Sequence, residues 1–142
     1  MAENKEKTVR IIATVLLGIF TAVVMWITVF SRSKGVYTSY QPFWSFKGML
    51  EGDKYAAKMV IENILLFIPF GFLIQLAFWT KNVFPAVICG FILSLTIELV
   101  QFLCKLGSFE IDDIINNTFG TLIGCLMAEI IISLLLKNED KA

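Results

Sequence analysis

The 142-residue sequence contains no histidine. Because histidine is the commonest general base and metal ligand near neutral pH, its absence excludes a histidine-dependent catalytic triad and a histidine-containing zinc site. Basic and acidic residues balance at 12 each, so the charge does not indicate a nucleic-acid partner. The cysteines Cys89, Cys104 and Cys125 have no CxxC spacing, and we predict buried apolar side chains there rather than disulfide partners.

Apolar residues, in contrast, are abundant and arranged in long blocks. They make up 57% of the chain, and the blocks are long enough to cross the hydrocarbon core of a bilayer. A chain of this length suits one domain, here residues 1–142. We therefore predict an all-α, multi-pass protein of the cell membrane, surrounded by membrane lipids, with transmembrane helices at about 11–30, 59–79, 83–104 and 112–136.

The first apolar block follows a basic segment, as in a signal peptide. The block at 11–30 is longer than a usual signal-peptide core, and no A-x-A-like cleavage site follows it. We therefore predict a retained first transmembrane helix. Positive residues divide evenly between the two sides of the bundle, but the flanks of the first helix favour cytoplasmic termini.

The longest connection between predicted helices is 31–58. It mixes aromatic residues such as Tyr37 and Trp44 with lysines such as Lys34 and Lys47, a combination suited to the lipid headgroup layer. We expect this loop to lie on the membrane or to re-enter it partly; a solvated loop is the alternative. The second helix then carries Asn63 near its start, and Pro69 with Gly71 predicts a kink in its middle.

Two polar stripes run along the third and fourth predicted helices. Ser94, Glu98 and Gln101 recur at i, i+4 and i+7, which places them on one helix face. The second stripe comprises Asp113, Asn117, Gly120 and Gly124. Its last two residues form a GxxxG, which predicts close approach to another helix, within the chain or in an oligomer.

Antiparallel threading brings the polar ends of all four predicted helices to one membrane face. With cytoplasmic termini, that face is extracytoplasmic. An acid at the centre of a membrane helix costs ~2.5–3.5 kcal/mol on insertion scales, so we expect these acids to be used or paired. The candidate binding residues are Arg32, Asn63, Glu98, Gln101, Asp112, Asp113 and Asn117.

A purely structural explanation covers part of this set. Asp112 or Asp113 can serve only as a cap at the start of the fourth helix, where the helix dipole favours an anion. Glu98 lies towards a helix C-terminal end, where the dipole disfavours an anion, and it needs a cation, a proton or a hydrogen-bond donor. Arg32, Lys105 and Gln101 are the candidates for that partner.

Three of these blocks resemble motifs of the VanZ-like family of small membrane proteins. Residues 63–71, NILLFIPFG, are similar to its N-x-x-x-F-x-P-x-G motif. Residues 94–101 are similar to its E-x-x-Q block, and residues 109–120, FEIDDIINNTFG, to its F-D-I-D-D-x-x-x-N-T-x-G block. The family often has an arginine where Gly107 stands, and Glu110 replaces an aspartate. If that arginine pairs with the acids, Lys105 or Arg32 must substitute for it.

The resemblance implies lowered susceptibility of Gram-positive bacteria to glycopeptide and lipoglycopeptide antibiotics such as teicoplanin, without a settled chemistry. Our first hypothesis is a site that binds or modifies an amphiphile, either a lipid-linked cell-wall precursor or a lipoglycopeptide. The second is a non-catalytic membrane partner whose polar stripes only hold helices together, and the third is a transporter. We predict no cofactor, since nothing in the sequence requires Mg²⁺ or Ca²⁺ at the acids.

Overall fold

The computed structural model describes residues 2–30, 42–106 and 109–139. Arg32 and Gly107, singled out above, lie outside the described residues. The described chain forms the helices α1 (Ala2–Phe30), α2 (Trp44–Leu50), α3 (Lys54–Phe78), α4 (Phe84–Leu103) and α5 (Ile111–Glu139). Of these, α1, α3, α4 and α5 are long and apolar enough to cross a membrane. The predicted all-α architecture with four apolar spans is thus confirmed.

The helices extend beyond their predicted starts for local reasons. In α1 the charged N-terminal residues continue the helix, where Arg10 pairs with Glu6 one turn away at 3.3 Å. The predicted second span starts earlier, at Lys54, because the Asp53 side chain accepts hydrogen bonds from the backbone N–H groups of Tyr55 and Ala56. A side-chain oxygen in this N-cap position satisfies donors that have no partner within the helix.

The short helix α2 lies within the segment predicted as a long loop. Its seven residues follow Phe43, whose backbone is left-handed with φ of 66°. The part of the predicted loop at 31–41 lies outside the described residues. The helix contacts α3 and is tied to α5, as described below, so this part of the loop is held by the bundle itself.

The tightest packing in the bundle joins α5 to α3 through glycines. A Cβ atom added at Gly120 would collide with the carbonyl oxygen of Ile64, and one added at Gly124 with that of Ile68. Gly71 faces the backbone of Thr121 in the same way. The close approach predicted from the GxxxG is confirmed, and the partner is α3 of the same chain. The glycine pair is therefore buried and is not an exposed surface for the oligomer contact that the sequence suggested.

Apolar side chains fill the space between the helices, and many more face outward. Val24, Phe67, Phe70 and Ile97 belong to one buried cluster that joins α1, α3 and α4. Exposed apolar residues cover α1 in particular, as expected of a helix surrounded by lipid. Pro69 is exposed, and α3 continues through it as one helix, so the kink stays a prediction.

The cysteines follow the sequence expectation only in part. All three are free thiols. Cys125 is buried and donates to the Gly71 carbonyl oxygen at 3.3 Å, and Cys89 is half-buried. The prediction was wrong for Cys104, which is exposed because it follows the end of α4 and lies outside the packed part of the bundle.

Candidate functional site

Buried polar side chains collect at one end of the bundle. They come from α2, α4 and α5, and each is 5% exposed or less. In a helix bundle surrounded by lipid, such side chains avoid hydrocarbon by facing one another. The group comprises Ser45, Ser94, Glu98, Gln101, Asp112, Asp113, Asn116, Asn117 and Thr121.

Hydrogen bonds show which helix ends meet there. The Gln101 side-chain amide near the end of α4 donates to the Thr28 carbonyl oxygen near the end of α1 at 2.8 Å. The Asn63 amide on α3 donates to the Asp113 carboxylate at the start of α5 at 2.6 Å. The predicted gathering of these helix ends is therefore observed, and the functional role of the residues stays a prediction.

The Asp112 carboxylate holds α2 in place. One oxygen accepts the backbone N–H of Phe43 at 2.5 Å, and the other accepts the backbone N–H and the hydroxyl of Ser45 at 2.8 and 2.6 Å. No side chain of its own segment caps α2. Asp112 thus supplies from α5 the acceptor that the start of α2 lacks. This resembles the structural explanation considered above, except that the capped helix is α2 rather than α5.

Glu98 receives a donor from the turn between α4 and α5. Its carboxylate, in a side chain only 1% exposed, accepts the backbone N–H of Glu110 at 2.8 Å. Gln101, one of the partners considered from the sequence, instead uses its amide on Thr28. Lys105 is exposed, with a left-handed backbone at φ of 57°. The bond to Glu110 offsets part of the cost of burying an anion near a helix C-terminal end.

The amides of the site leave acceptor atoms without partners. Asn117 donates to the Ser94 hydroxyl at 2.8 Å, but its carbonyl oxygen has no hydrogen-bond partner, and neither does that of Gln101, within the part of the chain that the structure describes. Neither polar atom of Asn116 has one either. Each such buried group costs roughly 1–3 kcal/mol, so the site keeps unused hydrogen-bonding capacity.

Three members of the site, Ser45, Asn116 and Thr121, were in neither the candidate residues nor the polar stripes chosen from the sequence. Asn116 lies one turn after Asp112, at i+4, and that spacing was a usable signal. Ser45 had none, because its partner Asp112 is 67 residues away. A further buried amide, Gln75, lies at the opposite end of the bundle and donates to the carbonyl oxygen of Thr80. It helps to close the C-terminal end of α3 and is not part of the site.

Within the described residues, the buried acids accept hydrogen bonds from different groups. Asp112 binds the start of α2, Asp113 binds Asn63, and Glu98 binds the Glu110 backbone. Across 2–30, 42–106 and 109–139, no three acidic or cysteine side chains are grouped as metal ligands would be. In the described geometry, each of these acids therefore bonds to a different part of the bundle.

Comparison with known proteins identifies relatives of this chain. The family model described as VanZ/LLP1 matches residues 12–132, which include all nine buried polar residues of the site. The protein named Protein VanZ of Enterococcus faecium is 29% identical over 119 residues, covering 81% of this chain and 72% of that protein. No solved structure matches the chain significantly. The chain, a polytopic helical membrane protein, therefore belongs to the VanZ/LLP1 family.

Proposed function

We propose that this protein lowers susceptibility to lipoglycopeptide antibiotics such as teicoplanin through its buried polar site, which binds or modifies an amphiphilic component of the cell envelope. One observation carries the proposal: at a single end of the bundle, buried carboxylates lie among amides whose acceptor atoms are not used within the described chain. Family membership supplies the context, because it relates the chain to Protein VanZ.

The residues present suit an amphiphile. Carboxylates such as Glu98 and Asp113 bind amines or, when neighbouring charges separate their pKa values, act as acid and base. Amides such as Gln101 and Asn117 orient the ligand by hydrogen bonds. The candidate membrane spans around them support a position next to lipid, where a molecule with an aliphatic part is concentrated.

Susceptibility to teicoplanin tests the proposal directly. Glu98→Gln and Asp113→Asn keep the shape of each side chain and remove its charge. In a susceptible Gram-positive host that expresses either variant, the inhibitory concentration of teicoplanin should fall to that of the same host without the protein. Glu62→Gln is the matched control, because Glu62 belongs to the same end of α3 as Asn63 and its side chain is 63% exposed.

Protein levels in the membrane make the result interpretable. If both variants are present at normal levels and keep full resistance, the proposal is wrong. If the purified protein shows saturable binding of a labelled lipid-linked precursor without product, the modifying version is excluded and the binding version remains.

A second candidate is a scaffold without a ligand. It is favoured by the observation that each stripe already makes bonds between helices, Asn117 to Ser94 and Asn63 to Asp113. Such bonds are worth ~0.6–2 kcal/mol each in membranes. In this case Glu98→Gln and Asp113→Asn should lower the amount of protein in the membrane in proportion to the loss of resistance.

A further inference from the structure

An apolar groove runs between α4 and α5. Its volume is about 340 Å³, and it is lined by Val87 and Phe91 of α4 and by the α5 residues from Ile114 to Leu122 that face them. The one hydroxyl in its wall, that of Thr118, donates to the carbonyl oxygen of Ile114 in its own helix. Both helices are candidate membrane spans, so the groove faces hydrocarbon rather than water.

The polar site lies further along the same stripe of α4 that lines the groove. Val87, Phe91, Ser94 and Glu98 follow the spacing i, i+4, i+7 and i+11, which places them along one stripe of the helix. The first two line the groove, and the last is the buried carboxylate of the site. On α5 the lining from 114 to 122 extends about 12 Å along the axis at 1.5 Å per residue. A chain of that length in the groove ends at the level of Glu98.

Two unused atoms of the site, the carbonyl oxygens of Gln101 and Asn117, are hydrogen-bond acceptors, whereas Asn116 has both an unused acceptor and an unused donor. Gln101 follows Glu98 on the same helix, and its amide nitrogen is used on Thr28, whereas its carbonyl oxygen has no partner in the described chain. Asn117 is used in the same way: its amide nitrogen donates to the Ser94 hydroxyl, whereas its carbonyl oxygen has no partner in the described chain. Acceptors next to a carboxylate suit a group that carries both N–H donors and positive charge. They do not suit a phosphate or a carboxylate.

We propose that the groove holds the aliphatic chain of an amphiphile whose primary ammonium group lies at Glu98, Gln101 and Asn117. The proposal rests on the proposed function, since it assigns the ligand class of the same site. Two sources supply this chemistry: the amine headgroup of a membrane lipid, and the amine of an acylated glycopeptide. Both present an aliphatic chain and an ammonium group, and they are distinguished by competition.

Photo-crosslinking in nanodiscs tests the ligand class. The probes are dodecylamine, dodecyltrimethylammonium and dodecyl phosphate, each with a diazirine in the chain. Dodecylamine should label α4 and α5 peptides that contain Phe91 and Phe119, in a manner competed by unlabelled dodecylamine. The quaternary probe, which has charge but no donors, and the phosphate probe should label at least ten-fold less. Equal labelling by all three probes, or labelling elsewhere, would overturn the proposal.

Variants separate the groove from the headgroup site. Leu122→Trp fills the groove and should reduce dodecylamine labelling at least ten-fold, whereas Ile130→Trp, at an exposed position of α5 outside the groove, should not. Glu98→Gln should reduce labelling similarly, and unchanged labelling in Leu122→Trp and Glu98→Gln contradicts the proposal.

Competition by phosphatidylethanolamine alone indicates a lipid source, and competition by teicoplanin alone indicates the antibiotic.

The same variants distinguish this inference from the proposed function. If dodecylamine labels the groove while Glu98→Gln keeps full teicoplanin resistance, the ligand assignment stands and the resistance role fails. If Glu98→Gln abolishes resistance while the three probes label equally, the resistance role stands and the ligand assignment fails.

Discussion

At the residue scale, Asp112 is bonded to the segment that begins α2. Three donors converge on its two oxygens. Hydrogen bonds to a charged acceptor contribute ~1.5–3 kcal/mol each. The carboxylate therefore serves as a positioning group for α2, and in the proposed function the ligand contacts are assigned to Glu98 and Asp113.

Removing the Asp112 charge should release α2. In Asp112→Asn one oxygen is replaced by an amide nitrogen, which cannot accept a hydrogen bond, so either the Phe43 N–H or both Ser45 groups lose their acceptor. We expect the free energy of unfolding in detergent to fall by about 2–3 kcal/mol and amide hydrogen exchange to accelerate in α2. Glu51→Gln is the control, since its exposed pair with Lys47 is worth ~0–1 kcal/mol. Equal effects of the two substitutions would contradict the positioning role.

Asn116 combines complete burial with two unpartnered polar atoms. A leucine of similar size removes both desolvated groups, so Asn116→Leu should raise the free energy of unfolding by roughly 1–3 kcal/mol. Asn63→Leu should lower it, because Asn63 donates to Asp113. Chemical denaturation in detergent measures both. A destabilised Asn116→Leu would mean that this amide already has partners in the membrane.

At the scale of the helices, the contact between α3 and α5 restricts which residues can replace the glycines of α5. Gly120 and Gly124 lie so close to the backbone of α3 that a methyl group has no space. Backbone atoms cannot move aside as a flexible side chain can, so the two helices would have to separate along their length. This would also shift Asp113 away from Asn63.

Glycine substitutions should therefore have opposite effects at different positions. Gly124→Ala should destabilise the protein by at least 1–3 kcal/mol, the usual cost of overpacking. Gly18→Ala in α1, where nothing lies within 4 Å, should be neutral or stabilising by up to about 1 kcal/mol, because alanine is the better helix former. Thermal unfolding of the two variants in detergent compares them. A tolerated Gly124→Ala would show that the helices pack less closely than described.

The end of α4 has a backbone geometry that the residues there do not predict. Leu106 donates to the Gln101 carbonyl and Lys105 to that of Phe102, with Lys105 in the left-handed conformation. This bonding pattern normally has glycine in that position. A lysine gives no such sequence signal, and the end of the helix was nevertheless predicted within one residue from the apolar block.

At the scale of the molecule, the structural features that follow from long apolar blocks were predicted from the sequence. The features that depend on contacts between distant residues were missed. The spans followed from composition, and the spacing of Glu98 and Gln101 indicated the polar face. Helix α2 was not predicted because it is short and is capped by a residue 67 to 69 positions away. Of the seven candidate residues, all but Arg32 fall in the described residues, and there they converge on one end of the bundle.

The orientation of the molecule in the membrane stays a prediction. In the predicted orientation, the site lies on the extracytoplasmic face. Cys104 is a native reporter of that face, since it is exposed at the end of α4. In a variant lacking Cys89 and Cys125, a membrane-impermeant maleimide should label Cys104 from outside intact cells. Lys81→Cys, in the turn between α3 and α4 and with Cys104 also removed, should be protected. The reverse pattern would place the site at the cytoplasmic face.

The bond between Asp112 and α2 has a consequence for biogenesis. The ribosome makes Phe43 69 residues before Asp112, and Asn63 50 residues before Asp113. During insertion α1, α3 and α4 therefore enter the membrane before α5 supplies the polar partners of Asn63 and Ser94. The site forms only when the last span arrives, so a nascent chain stalled before α5 should stay bound to the insertion machinery and become a substrate for membrane proteases.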